Sequence, residues 1–325
     1  MMSPLESQLV LIFTVFFNVY LFSAISAQLL LLFLIKTCKV TALKDMRLYL
    51  LNILILQFIS TMSAFLSQSR VVPNSETVAI LCYGPCKYLG VLTCQVLFHV
   101  LKVSLFSCAA ALIIAFYYRY NMITARSFTR THHYRQLVIS YSIPTVLLVF
   151  NLFSPSDRQK IVNELTALHP SYDLDNYIIL GFSEVKTVVA SVNTAMIILG
   201  VYGTPFVALY FRSKILKILN TTKSYHSEKI AQTKSMIQGL TLQTLLPLFC
   251  YIPSFTYFIY NQHYQTDSLI VEFAVSPIGF IYTIFDPLLT IYFVLPYRRG
   301  LKAMFQKNNT TTNIFIISET TRRIV

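Results

Sequence analysis

A lysine and a histidine stand one helical turn apart within a long apolar stretch of the sequence. Lys102 is flanked by Leu, Val and Phe residues, and His99 precedes it by three positions. Side chains three apart share a helix face, and a lysine at membrane depth is a candidate functional residue because its burial is costly. The pair predicts a polar wall that contacts an anionic or polar ligand. In the alternative interpretations, Lys102 extends outward to water or pairs with Glu184 or Glu272.

Patterns typical of metal sites and catalytic sites are absent from the sequence. Cys82 and Cys86 are four apart, but no second cysteine or histidine pair completes a zinc-binding spacing. His132 and His133 are adjacent rather than spaced as a histidine box, and neither a Ser–His pair nor an acidic dyad is evident. We therefore expect no metal, no cofactor and no enzymatic activity.

The chain as a whole is too apolar for a water-soluble domain. Of its 325 residues, 55% are hydrophobic and 12% are charged, whereas soluble domains carry about 25% charged residues. A membrane-spanning helix needs about 20 mostly apolar residues, and only helices and closed barrels satisfy their backbone hydrogen bonds in lipid. The sequence predicts an all-α membrane protein with seven transmembrane helices at about residues 10–35, 48–66, 88–118, 137–153, 187–211, 236–260 and 270–295.

Positive charges distinguish the two sides of the predicted bundle. Lys and Arg concentrate after the first, third, fifth and seventh spans, as they do in cytoplasmic segments. This places residues 1–9 outside as a short N-terminus and residues 296–325 in the cytoplasm as a tail that can begin with a short amphipathic helix. The same topology explains the net charge of +13 without a nucleic-acid partner. The glycosylation sequons at Asn220, Asn308 and Asn309 all fall on the predicted inner side.

Three cysteines and one long connection fall on the predicted outer side. Cys82, Cys86 and Cys94 lie where disulfides persist, and the sequence leaves each pairing among them open. The connection over residues 154–186 has no cysteine, so no disulfide ties it to the third helix; it is polar enough to cover a pocket. The other cysteines are expected to be free thiols: Cys38, Cys108 and Cys250.

Several short motifs occur between the second predicted span and the last. They are Arg70-Val-Val-Pro-Asn74, Tyr83-Gly-Pro-Cys-Lys-Tyr88, Tyr117-Tyr-Arg-Tyr120, Phe285-Asp-Pro-Leu-Leu-Thr-Ile-Tyr292 and Pro296-Tyr-Arg-Arg299. Together they resemble the nematode serpentine chemoreceptors of class delta, the Srd family, which are similar to G-protein-coupled receptors. The resemblance implies a chemosensory receptor in the sensory-neuron membrane that binds an environmental small molecule in the outer half of the bundle and activates a heterotrimeric G protein.

The resemblance also implies an activation switch. Tyr118-Arg119-Tyr120 is similar to the Asp/Glu-Arg-Tyr motif of G-protein-coupled receptors, but Tyr118 replaces the acid, so the ion pair beside Arg119 is lost. Asp286-Pro287 is similar to the start of the Asn-Pro-x-x-Tyr motif, and its proline can form a hinge. The alternatives are an interfacial arginine and a fixed kink with a hydrogen-bonded aspartate.

The expected contact face for the G protein combines the end of the third helix with the start of the tail. Tyr118 and Tyr120 flank Arg119, and Arg298 and Arg299 follow the last span. Attraction of these basic residues to anionic lipid is an alternative or additional role.

Two other membrane-protein classes fit the sequence less well. A seven-helix ligand-gated channel of the insect olfactory type is the alternative function, but its cytoplasmic N-terminus is opposite to the orientation that the charges predict. A transporter is disfavoured because we find no internal repeat in the sequence.

Overall fold

The structure is a computed structural model, and it describes residues 4–38, 44–124, 130–153, 157–184, 187–221, 227–264 and 268–306. The helices are α1 (Pro4–Thr37), α2 (Lys44–Ser67), α3 (Val91–Ile123), α4 (Arg130–Phe153), α5 (Arg158–Leu168), α6 (Val188–Ile198), α7 (Thr204–Thr221), α8 (Ser227–Tyr264), α9 (Leu269–Phe280), α10 (Tyr282–Phe293) and α11 (Leu295–Gln306). The strands are β1 (Ser69–Pro73), β2 (Val78–Cys82) and β3 (Ile178–Phe182). A 3₁₀ turn, Pro85–Leu89, precedes α3, and a π-helical turn, Leu199–Gly203, joins α6 to α7.

The helices follow the predicted spans in order. Within the described residues, six segments are long and apolar enough to cross a membrane: α1, α2, α3, α4, α8, and α9 taken together with α10. The remaining predicted span is formed by α6 and α7, which continue into each other through the π-helical turn. A π-helical turn changes the helical register locally, so this span is two shorter helices rather than one uniform helix.

Several helix boundaries differ from the predicted ones. α1 begins at Pro4, so residues 4–9 of the predicted short outer N-terminus are helical. α3 begins at Val91 rather than Tyr88 because Gly90, with a φ of 96°, separates it from the 3₁₀ turn. α7 continues to Thr221 and α8 begins at Ser227, so much of the predicted third inner connection is helical. Hydropathy marks only the apolar part of a helix, whereas these helices extend beyond it.

The predicted tail begins with helix α11, where an amphipathic helix was expected. Tyr297 is fully buried on one side of it, whereas Met304 and Phe305 are exposed. Residues 307–325, including the sequons at Asn308 and Asn309, lie outside the described residues.

A three-stranded antiparallel sheet, which the sequence analysis did not predict, covers one end of the helix bundle. β2 is central, with Val71 opposite Ile80 in one ladder and Ile80 opposite Leu180 in the other. The sheet thereby joins the connection after α2 to the connection after α4. Gly181 has a φ of 146°, and a Cβ there would lie 1.9 Å from the backbone oxygen of Val78, so this crossing requires glycine.

The two faces of the sheet pack against different parts of the molecule. Val72, Leu81 and Ile179 pack on α5 through Ile161 and Leu165. The opposite face carries Ile80, Cys82 and Leu180 and packs against the start of α3. This alternation is the ordinary consequence of the strand pleat. We call this end of the bundle the sheet end and the opposite end, where α11 lies, the α11 end.

The largest apolar core lies toward the α11 end. It includes Leu34, Tyr49, Phe116, Ile237 and Tyr297, from five different helices. A second core near the sheet end is built from aromatic side chains of α1 and α9, among them Phe13, Phe17 and Phe273. Between these cores and the sheet, the helices leave a cavity.

Candidate functional site

The main cavity lies directly beneath the sheet. It has a volume of about 330 Å³ and is bordered by α3, α4, α6, α7, α8, α9 and α10. Val71, Val78 and Ile80 line it from the sheet, and Phe182 adds an aromatic ring from β3. Small-molecule sites in proteins are typically apolar concavities of this size with a few placed polar groups. The long connection therefore does cover a pocket, and it does so with a strand.

The two polar residues singled out on α3 both line this cavity. Lys102 Nζ lies 4.8 Å from the centre of the Phe98 ring and 4.9 Å from that of Phe182. His99 is buried, and its Nδ1 has no hydrogen-bond partner among the described residues. Buried polar atoms are normally hydrogen-bonded, so an unsatisfied nitrogen in a residue that lines the cavity is unusual. The role of both residues as ligand contacts stays a prediction.

The two acids proposed as alternative partners of Lys102 form ion pairs elsewhere. Glu272 contacts Arg70, with 2.6 Å between the carboxylate and a guanidinium nitrogen. Glu184 lies 3.2 Å from the ammonium of Lys160 at the surface.

A disulfide fixes the segment between the sheet and α3. Of the pairings that the sequence left open, the structure has Cys86–Cys94, which joins the 3₁₀ turn to the first turn of α3. Cys82 is buried beside it as a free thiol, and the three sulfur atoms lie within 4.8 Å of one another. Burial raises the pKa of the Cys82 thiol to about 12, so this sulfur is protonated at neutral pH. Cys38, Cys108 and Cys250 are free thiols, as expected.

A buried ion cluster ties the sheet to the helices beside the cavity. Arg70 on β1 is fully buried and contacts Glu272 on α9 at 2.6 and 3.0 Å and Glu6 on α1 at 3.3 Å. Its guanidinium also lies 4.4 Å from the ring centres of Tyr172 and Phe273. Burial alone would lower the pKa of Arg70, but attraction to Glu272 and their hydrogen bonds outweigh it and raise that pKa.

The ion cluster closes the sheet end of the bundle on the side of α1 and α9. Tyr172, from the connection that carries β3, donates a hydrogen bond to Glu272 at 3.1 Å. Ser276, one turn after Glu272, donates to the backbone oxygen of Ser69 at 2.6 Å. Ser69 and Ser276 line the main cavity, while Glu6 and Tyr172 line a second cavity of about 280 Å³. The cluster thus stands next to both cavities.

Deeper in the bundle, Asp286 is the centre of a polar layer. It is buried and accepts a hydrogen bond from Gln57 on α2. Gln243 on α8 donates to the backbone oxygen of Asp286 at 3.2 Å and to the hydroxyl of Thr290 at 2.7 Å. Asp286 therefore links α2, α8 and α10, and Pro287 follows it inside the helix. Tyr282, one turn earlier on α10, lines the main cavity.

Arg119 is buried at the α11 end, near the end of α3. Its Nη2 lies 3.0 Å from Met236 Sδ on α8, and its Nη1 lies 3.8 Å from Met122 Sδ. Among the described residues no carboxylate forms an ion pair with it, and its Nε has no hydrogen-bond partner. The missing acid of the motif is therefore not replaced from another described helix.

The aromatic and basic residues predicted for the contact face differ in their burial and in their contacts. Tyr118 is buried and packs edge-on against His133, with ring centres 5.5 Å apart. Tyr120 packs against Phe211 at 5.9 Å. Arg298 lies 5.7 Å from the ring centre of Tyr292, and Arg299 is exposed on α11. Of the four, Tyr118 is buried and Arg299 is exposed, whereas Tyr120 and Arg298 are partly exposed; their role in contact with a partner stays a prediction.

Three features of the site were not predicted from the sequence. Arg70 was not assigned to an ion pair, although an arginine in a run containing Val71 and Val72 is a signal of a partly buried strand. Gln57 and Gln243 were not selected, although both are amides inside apolar stretches. Pairing partners on distant helices cannot be identified from either signal alone.

Comparisons with known proteins place these features in a family. Residues 13–303 match the family described as "Serpentine type 7TM GPCR chemoreceptor Srd". Serpentine receptor class delta-50 of Caenorhabditis elegans is 62% identical over 336 aligned residues, covering 100% of both chains. Serpentine receptor class delta-51 of the same organism is 38% identical, covering 92% of this chain and 89% of the relative.

The fold is also similar to that of a solved receptor. The crystal structure of squid rhodopsin superposes with a TM-score of 0.63, covering 97% of this chain and 89% of that chain. The sequence identity is 10%, so the likeness concerns the fold alone. It confirms the prediction of a seven-helix bundle similar to that of G-protein-coupled receptors.

Proposed function

Because this chain belongs to the Srd family of serpentine seven-transmembrane chemoreceptors, we propose that it binds an environmental small molecule beneath the sheet and activates a heterotrimeric G protein at the α11 end. In this proposal the sheet end faces outside, the α11 end faces the cytoplasm, and the receptor acts in the membrane of a sensory neuron. Its family and fold are those of a multi-pass chemoreceptor, and the relatives that it matches are receptors rather than enzymes.

One observation carries the proposal: the helices that border the cavity are the helices that hold Asp286 and Arg119. Thr244 and Pro247 of α8 line the cavity, and Gln243, beside them, is bonded to Asp286. Two turns from Gln243 toward the α11 end, Met236 contacts Arg119. A ligand that changes the position of α8 relative to α3 therefore changes the Arg119–Met236 contact as well.

The prolines of α8 make such a movement plausible in physical terms. Pro247 and Pro253 lie inside this helix, and each removes one backbone hydrogen bond. A ligand shifts the equilibrium only as far as its affinities for the resting and active states differ. In this proposal, contacts with Thr244 and Pro247 supply that difference, and release of Arg119 from Met236 lets α8 move relative to α3 at the α11 end, where Arg298 and Arg299 form the basic contact face.

The test of the binding step is a matched pair of cavity variants. Ala109 lines the cavity, whereas its neighbour Ala110 does not. Cells that express the receptor with a G-protein activation sensor are screened with a panel of small odorants. We expect Ala109→Phe to abolish the response to any activating odorant and Ala110→Phe to preserve it. Equal responses in both variants would remove the cavity from the mechanism.

The orientation is tested separately with glycosylation. A sequon added before Ser3 is compared with the native sequons at Asn220, Asn308 and Asn309. A glycosidase-sensitive mass shift that requires the added sequon is expected, because the proposal places only that one outside. A shift from the native sequons alone would reverse the orientation and favour the ligand-gated channel, whose N-terminus is cytoplasmic.

A further inference from the structure

We propose that the ligand of the main cavity is an organic acid, whose carboxylate is held by Lys102 and His99 while its apolar body extends along α3 away from the sheet. This inference rests on the proposed function, because it specifies the ligand class of the same cavity.

The charge of the cavity wall points to an anion. Among the described residues that line the cavity, the basic side chains are Lys102 and His99, and no Asp or Glu lines it. The carboxylates of Glu272 and Glu184 are engaged with Arg70 and Lys160. A lining that has a lysine and no acid favours an anionic ligand over an amine.

The position of the ammonium suits a carboxylate at the sheet end of the cavity. Lys102 Nζ is 4.8 Å from the Phe98 ring centre and 4.9 Å from the Phe182 ring centre. Cation–π contacts of this kind hold an ammonium in place beside the cavity. A carboxylate that accepts from the ammonium N–H donors forms a charge-assisted hydrogen bond, which is stronger.

His99 provides the second contact for the same headgroup. It lies one turn before Lys102 on α3, and both side chains reach the cavity. Its buried Nδ1 has no hydrogen-bond partner among the described residues. When the ring turns toward the cavity in the tautomer protonated at Nδ1, this nitrogen donates to the second carboxylate oxygen and its own polarity is satisfied.

The remainder of the cavity defines the body of the ligand. The lining continues along α3 from Lys102 to Leu112, and ten residues of helix span about 15 Å. Over that distance most lining side chains are apolar, including Leu105, Phe106 and Phe280. A volume of about 330 Å³ with this depth accommodates an unbranched acid of medium chain length better than a bulky polycyclic compound.

The test measures binding by the thermal stability of the full-length purified receptor. The probes are straight-chain monocarboxylates of increasing length, each compared with its methyl ester, primary alcohol and primary amine. We expect acids of medium length to stabilise the receptor and their matched esters and amines to do so about tenfold more weakly or not at all.

Four variants make the result specific to the proposed contacts. Lys102→Met is expected to lower the apparent affinity for the acid about tenfold or more, and Lys102→Arg to retain most of it. His99→Leu is expected to reduce it severalfold. The matched control is Lys87→Met, since Lys87 also packs on an aromatic ring, at 4.3 Å from the Tyr83 centre, but does not line the cavity; we expect it to bind acids like the unaltered receptor.

Three outcomes would overturn the inference. They are equal stabilisation of Lys102→Met and the unaltered receptor by the acids, a preference for the esters, alcohols or amines, and no stabilisation by any acid of the series. A preference for neutral probes that also activate the G protein would leave the proposed function intact. Acid binding that depends on Lys102 without G-protein activation would instead support the inference and contradict the proposed function.

Discussion

Arg70 and Arg119 are both almost completely buried, one at each end of the bundle, but their surroundings are opposite. Arg70 is held by two carboxylates and two aromatic rings that come from α1, α9 and the connection carrying β3. Arg119 is held by the sulfur atoms of two methionines. A thioether sulfur is a weak hydrogen-bond acceptor, so separation of Arg119 from its neighbours costs little.

This difference indicates which end is fixed and which end can open. Separation of one member of a buried ion cluster leaves an unpaired charge in the interior, so we expect the sheet end to resist opening. At the α11 end, α3 and α8 are connected at Arg119 by packing and by one weak polar contact. A chemoreceptor of the proposed kind needs this combination, because the ligand cavity must keep its shape while the G-protein face changes.

The largest expected effect comes from breaking the ion cluster at the sheet end. Arg70→Met leaves Glu6 and Glu272 buried without their guanidinium, and loss of one partner from a buried pair costs about 3–5 kcal/mol. Thermal unfolding of the purified receptor in detergent, together with surface expression, measures the loss. The triple variant with Glu6→Gln and Glu272→Gln should recover part of the stability.

The control for this variant is an ion pair at the surface. Lys160 contacts Glu76 and Glu184 with solvent access, so Lys160→Met should leave the unfolding temperature unchanged, since exposed pairs contribute little. Equal loss in the two variants would mean that burial of the charges is not what makes the sheet end rigid.

The second effect separates the two acids of the cluster. Glu272 makes two short contacts with Arg70 and accepts from Tyr172, whereas Glu6 contacts Arg70 once, at 3.3 Å. Hydrogen bonds to charged groups contribute about 1.5–3 kcal/mol, so Glu272→Gln should destabilise the receptor by about 2 kcal/mol and Glu6→Gln by less. The reverse order, measured by thermal unfolding, would show that α1 rather than α9 anchors Arg70.

The third effect comes from a variant that introduces an ion pair at the α11 end, like those at the sheet end. Met236→Glu places a carboxylate where a sulfur lies 3.0 Å from Arg119, so it should tie α8 to α3 and favour the resting state. A shift of about 1.4 kcal/mol corresponds to about tenfold lower agonist potency. Concentration–response curves with the G-protein sensor measure this shift.

The matched control adds the same charge without joining two helices. Met122 lies on α3, the helix that carries Arg119, so Met122→Glu should change agonist potency much less than Met236→Glu. Similar losses in both variants would indicate that the added charge, and not a link between α3 and α8, causes the effect.

The smallest effect on stability is expected from removal of Arg119 itself. Arg119→Met replaces a buried cation that has no carboxylate partner among the described residues, and such replacements are often close to neutral or stabilising. We expect the free energy of unfolding to change by less than about 1 kcal/mol while G-protein activation is lost. A loss of stability comparable to that of Arg70→Met would contradict the contrast between the two ends.

The sequence predicted the helices well because a helix that spans lipid needs about 20 mostly apolar residues. Six of the seven predicted spans coincide with described segments that are long and apolar enough to cross a membrane, and the motifs between Arg70 and Arg299 indicated the family. The helix ends at Pro4, Thr221 and Ser227 could not be located in this way, because the helices continue beyond their apolar stretches into polar sequence.

The sheet and the ion cluster were not predicted from the sequence, because both depend on contacts between residues that are far apart in the chain. The strands are five residues long, and β3 lies about a hundred positions after β2, so their pairing is a long-range contact without a periodic signal. Arg70 and Glu272 are likewise 202 positions apart. For the cavity, the spacing of His99 and Lys102 indicated their common helix face, but it could not indicate that Phe182 would lie beside the ammonium.

Successive side chains of each strand lie on opposite faces of the sheet, and this arrangement affects how a family of such receptors can diversify. Val71, Val78, Ile80 and Phe182 border the cavity, whereas Val72, Leu81 and Ile179 pack on α5. In the proposed receptor, successive positions of one short segment therefore contribute to different properties, ligand selectivity on one side and folding on the other. Duplicated genes can accumulate substitutions at every second codon of these strands and acquire new chemical preferences while the encoded scaffold still matures and reaches the cell surface.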